Sequence, residues 1–156
     1  MKMNEMIKSF PDQIIDQFEN LSSLQLTQDK FSKVNNIVVA GMGGSAISGD
    51  LIKLFLKNEI DIPITVLRDY SIPNWTNENT LFILSSYSGN TEETLSCFSS
   101  AVLKSKKVIS ITTGGSLEDE SLKHKVSVVK IPKGFQPRAA LGFSLISLLC
   151  VFNKIN

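Results

Sequence analysis

Apolar residues fall along this chain in two textures. Ile37-Val38-Val39-Ala40, Ile64-Thr65-Val66-Leu67, Leu81-Phe82-Ile83-Leu84, Val108-Ile109-Ser110-Ile111 and Val126-Ser127-Val128-Val129 are short and nearly continuous, and rich in β-branched side chains. Such runs predict strands buried on both faces. Between them the spacing becomes helical. Ile47, Leu51, Leu54 and Phe55 share one helical face, as do Leu95, Phe98 and Val102. Ahead of the first strand, Pro11 suits a first helical position, and Ile14, Ile15 and Phe18 recur on one face after it. A last helix is expected from about Ala139. Alternation of this kind predicts an α/β fold: a three-layer α/β/α sandwich with a five-stranded parallel, doubly wound, flavodoxin-like sheet. The expected division is an N-terminal helical segment over 1–33 and the α/β unit over 34–156.

Composition narrows the function. The chain has 156 residues, of which 42% are hydrophobic and 20% charged, with a net charge of +1. This is globular rather than disordered. The even balance of charge carries no basic footprint, so no nucleic-acid partner is expected. One histidine, His124, and two cysteines, Cys97 and Cys150, offer too few ligands for a zinc site. They build no disulfide framework, which points to a reducing compartment. Residues 1–8 lack the apolar core and cleavage site of a signal peptide, so the expected location is cytoplasmic. Ala139–Phe152 is the most apolar stretch. It is short for a membrane span and reads as a buried helix, so no membrane partner is expected. It is apolar on nearly every side, so self-association is expected too.

In an open α/β sheet, ligands sit beyond the carboxyl ends of the strands. After the third strand comes Ser86-Tyr87-Ser88-Gly89-Asn90-Thr91. Three hydroxyls beside a helix start, where N–H groups are free and the dipole is positive, suit a phosphate monoester. The plainer alternative is a helix cap at Asn90 or Thr91. After the first strand, Gly41-Met42-Gly43-Gly44-Ser45-Ala46 also satisfies a dinucleotide fingerprint, for which Arg68 would have to serve a 2′-phosphate. Its other reading is a tight turn that glycine permits. Finally, Gln136-Pro137-Arg138 opens the last helix. A cation there opposes the dipole, which invites an anionic ligand or a developing enolate as its reason. A solvated or paired arginine is the alternative.

Together the turns resemble the sugar isomerase (SIS) domain family. More narrowly, GMGGSAISGDL, SSYSGNTEETL and PKGFQPRAALGF are similar to the amino-terminal of the two SIS domains of bifunctional phosphoglucose/phosphomannose isomerases. The resemblance covers roughly residues 34–152. It implies interconversion of glucose 6-phosphate or mannose 6-phosphate with fructose 6-phosphate through a cis-enediolate, without a cofactor or metal. By this resemblance Ser86, Ser88 and Thr91 hold the phosphate, Gly43, Gly44 and Ser45 approach the sugar, and Arg138 contacts the substrate and stabilises the enediolate. The resemblance also implies a second SIS domain supplying a glutamate that moves the proton and a histidine that assists ring opening. His124 matches neither role in position, and Glu92 and Glu93 are expected to face solvent. The expectation is therefore a sugar 6-phosphate-binding half, weak or inactive alone, partnered by a second copy or by the second SIS domain. A non-catalytic sugar-phosphate sensor or interaction module is the alternative.

Overall fold

The computed structural model describes residues 2–26 and 31–155. Residues 1, 27–30 and 156, which the expected segments 1–33 and 34–156 include, lie outside the described residues. Two helices lead: α1 (Met3–Lys8) and α2 (Phe10–Asn20). Then come β1 (Asn36–Gly41), α3 (Gly43–Phe55), β2 (Ile64–Leu67), β3 (Thr80–Ser86), α4 (Glu92–Lys104), β4 (Val108–Thr112), α5 (Gly115–Lys123), β5 (Ser127–Lys130) and α6 (Leu141–Ile155). The five strands form one parallel sheet in the order β2-β1-β3-β4-β5. That is the doubly wound, flavodoxin-like order. The chain leaves β1 toward one edge through β2 and returns to β3 on β1's other side, so the switch point lies between β1 and β3.

Strand alternation builds two cores. Ile37, Val39, Leu81, Ile83, Ile109 and Ile111 point to one face and pack with residues of α3 and α6. Val38, Ala40, Phe82 and Leu84 point to the other, against Cys97, Phe98 and Ala101 of α4 and Leu117 of α5. α6 is sandwiched between α2 and α3. Its apolar surplus is thereby used internally: Phe143, Leu148, Val151 and Phe152 are all buried. Among the described residues no helix is long and apolar enough to cross a membrane.

Two helical faces differ from the sequence expectation. The apolar side of α2 looks outward: Phe18 is 59% exposed and Ile15 is exposed, while Gln13 and Gln17 are buried. On α3, Ile47, Leu54 and Phe55 are exposed, and of that expected face only Leu51 packs, half-buried, against the core. The sheet is met by Ala46, Gly49 and Ile52 instead. Small residues there let the helix approach closely. A Cβ on Gly49 would lie 3.1 Å from Val39 Cγ1. The third difference concerns Arg138. The segment Pro137–Ala139 is a separate one-turn 3-10 helix ahead of α6, so Arg138 does not stand at an α-helical N-terminus. Arg138 therefore opposes no α-helix dipole, and only its surroundings bear on a ligand.

Candidate functional site

Because all strands run in parallel, the turns after β1, β3 and β4 open on one edge of the sheet. Those after β1 and β3 flank the switch point, where adjacent loops diverge and leave a crevice.

The β3 turn is built on Ser86, which is the last residue of the strand rather than part of the loop. Its buried Oγ accepts the Gly89 N–H at 3.1 Å and lies 2.8 Å from Thr91 Oγ1. With Ser86 donating to Thr91, the Thr91 proton remains for another acceptor. Thr91 is the N-cap residue of α4, yet its side chain makes no capping bond, so its hydroxyl is not spent on the helix. Ser88 is exposed, and its Oγ accepts the Asn90 N–H at 3.2 Å. Asn90 does not cap α4 either. Its Oδ1 accepts the Ser116 N–H at 3.0 Å and ties this turn to the start of α5. The two turns touch at Gly89. Its φ is +72°, and a Cβ there would sit 1.7 Å from the Gly114 carbonyl oxygen. Only glycine fits both the backbone and the space.

The β1 turn enters α3 through Gly43, at φ +52° with open space where a Cβ would be. Ser45 is buried at the first turn of α3. Gly44 faces the 3-10 turn, with Pro137 O 3.1 Å from the position of an added Cβ. Arg138, exposed and in no ion pair among the described residues, is thus carried beside the β1 turn. Lys130 is engaged by Glu118 at 2.7 Å and by the Thr113 carbonyl at 3.0 Å.

Tyr87, which no spacing in the sequence singles out, joins these parts. Its phenol donates to Pro132 O at 3.0 Å and accepts the Phe135 N–H at 3.0 Å. Burial raises its pKa above the ordinary 10.0, opposed by the Phe135 bond. The phenol therefore keeps its proton and anchors the loop that leads to Arg138. Lys133 was also missed. Its Nζ lies 3.2 Å from where a Cβ on Gly114 would be, which adds a cation near the β4 turn. Neither signal was available from spacing alone.

The remaining sequence candidates lie apart. Arg68 is paired with Asp50. It is not free for the 2′-phosphate that a dinucleotide reading asks of it. Glu92 and Glu93 bear on Tyr70: their charges, Glu93 foremost, push its phenol above the ordinary 10.0. His124 ends α5 ahead of β5, at the opposite edge of the sheet, and meets Phe98 edge-on at 5.9 Å. Among the described residues no group of three or more His, Cys, Asp or Glu side chains could hold a metal ion.

No protein-family model matches the chain. Curated proteins do. The chain is 44% identical over 153 residues to a bifunctional phosphoglucose/phosphomannose isomerase of Caldicellulosiruptor bescii, covering 98% of this chain and 45% of that protein. It is 39% identical over 152 residues to the one of Thermoplasma acidophilum, covering 97% and 44%. Among solved structures, tagatose-6-phosphate ketose/aldose isomerase from Escherichia coli superposes with a TM-score of 0.75 over 96% of this chain and 46% of that one, at 22% identity. The chain spans about half the length of the curated relatives it matches. On the agreement of sheet order, turns and sequence, the chain has the fold of the sugar isomerase (SIS) domains and resembles one half of the bifunctional phosphoglucose/phosphomannose isomerases.

Proposed function

We propose that the chain is the sugar-phosphate-binding half of an aldose–ketose isomerase that interconverts glucose 6-phosphate or mannose 6-phosphate with fructose 6-phosphate. The observation that carries this reading is the bonded pair Ser86–Thr91 at an N-terminus of α4 that no side chain caps. A phosphate monoester seated there receives the Thr91 and Ser88 hydroxyls and the free N–H groups of the first helical turn, with the dipole favouring its charge. Gly43, Gly44 and Ser45 face the sugar across the β1–β3 crevice, close to the turn that bears Arg138. A guanidinium there stabilises the negative oxygens of an enediolate as they develop.

A guanidinium has donors and no acceptor, so Arg138 cannot itself take the proton between C1 and C2. That base belongs, in this reading, to a second SIS domain, whether in the rest of a longer chain or in a partner. The isomerase activity, the cytoplasmic location and the pairing with a second copy or second domain all belong to the proposal.

Calorimetry with fructose 6-phosphate, NAD and NADP on the 156-residue chain is the test. Binding of fructose 6-phosphate alone is expected, with turnover in a coupled assay lower by about 10²–10⁴-fold than with a positioned base. Addition of the second domain is expected to restore turnover. Binding of a dinucleotide in place of the sugar phosphate would refute the reading. A chain that binds fructose 6-phosphate but shows no turnover under either condition would fit a sugar-phosphate sensor instead.

A further inference from the structure

We propose that Gln13 is a positioning residue for Arg138, so that the N-terminal helices form part of the site rather than a leader to it. The inference rests on the reading of Arg138 as a ligand-binding residue.

Gln13 is 1% exposed, on the inward side of α2. Its Nε2 donates to Ala139 O at 2.7 Å and to Met6 O at 3.1 Å. Ala139 directly follows Arg138 in the 3-10 turn. On the other flank of that turn, the Gln136 N–H is directed at Met6 Sδ at 3.4 Å. The N-terminal helices therefore grip the backbone on both sides of Arg138, while Gly44 of α3 meets Pro137 from a third direction. The guanidinium is free, but the backbone that carries it is held.

A buried glutamine is a costly way to fill space. Its Oε1 has no hydrogen-bond partner among the described residues, and an unsatisfied buried acceptor is destabilising. Methionine or leucine would fill the same volume without that penalty. The side chain is therefore present for its N–H groups, one of which reaches the turn while the other ties α2 to Met6 of α1. The opposite wall is shaped to admit it: a Cβ on Gly142 would stand 2.9 Å from Gln13 Oε1 and 3.0 Å from Gln13 Cβ. A polar side chain with an orphaned oxygen, accommodated by a glycine at the start of α6 and bonded next to the one arginine of the crevice, is what fixing that arginine requires. Displacement of a charged group by as little as about 1 Å is enough to weaken a transition-state or ligand contact strongly.

The test uses Gln13→Met, which keeps length and volume but removes both donors, and has two arms. Without ligand, amide hydrogen exchange at Ala139 and Ala140 should accelerate about tenfold while β1 and β3 stay protected. Unchanged exchange there, or acceleration spread equally through the sheet, would overturn the proposal. With fructose 6-phosphate, Gln13→Met should weaken binding about tenfold in the parent chain and stay within about twofold of neutral on an Arg138→Ala background. An equal loss on both backgrounds means that Gln13 acts on stability alone and overturns it. If the parent chain binds no sugar phosphate, the functional reading fails, and the exchange arm still decides whether Gln13 holds the turn. Met6→Leu, which retains packing and removes the sulfur acceptor, gives the second variant: faster exchange at Gln136 supports the grip, and unchanged exchange there counts against it.

Discussion

Gly44 lies against the carbonyl of Pro137, with 3.1 Å between that oxygen and the place a Cβ on residue 44 would take. The two belong to parts of the chain that no local pattern connects. Their contact sets Arg138 beside the first glycine turn, and hence beside the switch point of the sheet. The β1 turn and the 3-10 turn thus stand together on one side of the switch point, and the Ser86–Thr91 turn follows β3 on the other.

The phosphate assignment is tested at two hydroxyls. Ser88→Ala and Thr91→Ala are each expected to cost about 1–3 kcal/mol of fructose 6-phosphate affinity, the range for hydrogen bonds to a charged group. That is roughly a ten- to hundredfold rise in Kd by titration calorimetry. Circular dichroism should show both variants folded, since neither hydroxyl makes a capping bond to α4. Unchanged Kd in both would place the phosphate elsewhere.

Gly89 is the most constrained position of the edge. Gly89→Ala forces a Cβ toward Gly114 O at a positive φ, so the β3 and β4 turns must separate. A loss of at least about 2 kcal/mol is expected in urea unfolding, from backbone strain and overpacking together. Gly43→Ala, where the same Cβ meets nothing within 4 Å, should cost less, leaving the positive φ as the main penalty. Equal losses would show that the contact with Gly114 is not the reason.

Cys97 provides a pH readout remote from the crevice. Burial, aided by the Asp69 carboxylate, pushes its thiol up from 9.0 to about 11. The Sγ–H donates to Asp69 O at 3.1 Å. The folded state therefore holds this proton more tightly than the unfolded state does. Its contribution to stability is complete below the unfolded value and is lost as pH rises through about 11. Cys97 should resist alkylation at pH 8 in the native chain and react once urea unfolds it. Rapid native labelling at Cys97, resolved by peptide mapping, would contradict its burial.

The exposed stripe of α3 bears on assembly. Leu54 is 67% exposed, with Ile47 and Phe55 beside it, and apolar surface of this kind favours association. The chain is expected to self-associate in sedimentation velocity, and Leu54→Lys combined with Phe55→Lys is expected to lower that association and to leave sugar-phosphate affinity unchanged. A parent chain that sediments as a monomer at high micromolar concentration would count against the stripe as an interface.

Much of the architecture was legible because continuous apolar strands announce burial on both faces whatever their partners are. Parallel order and the carboxyl-edge location of the turns follow from that alternation. Glycine and hydroxyl residues at strand ends are also local signals, and so the Ser86–Thr91 turn stood out. α5 carries no periodic signal, since Leu117 is its one large buried apolar residue and a single residue has no period. Helix rotation was decided only by packing. The periodicity of α2 and α3 marked an apolar face correctly but could not say which way it turned, because the neighbouring element, the sheet for α3 and α6 for α2, selects the side that approaches closest. On α3 that side is Ala46 and Gly49. On α2 it is Gln13 and Gln17, whose value lies in hydrogen bonds to residues far along the chain. The joining of Gly44, Pro137, Arg138 and Gln13 belongs to the same class. Each of its bonds and contacts spans the fold, and contacts between distant segments exist only once the chain has closed on itself.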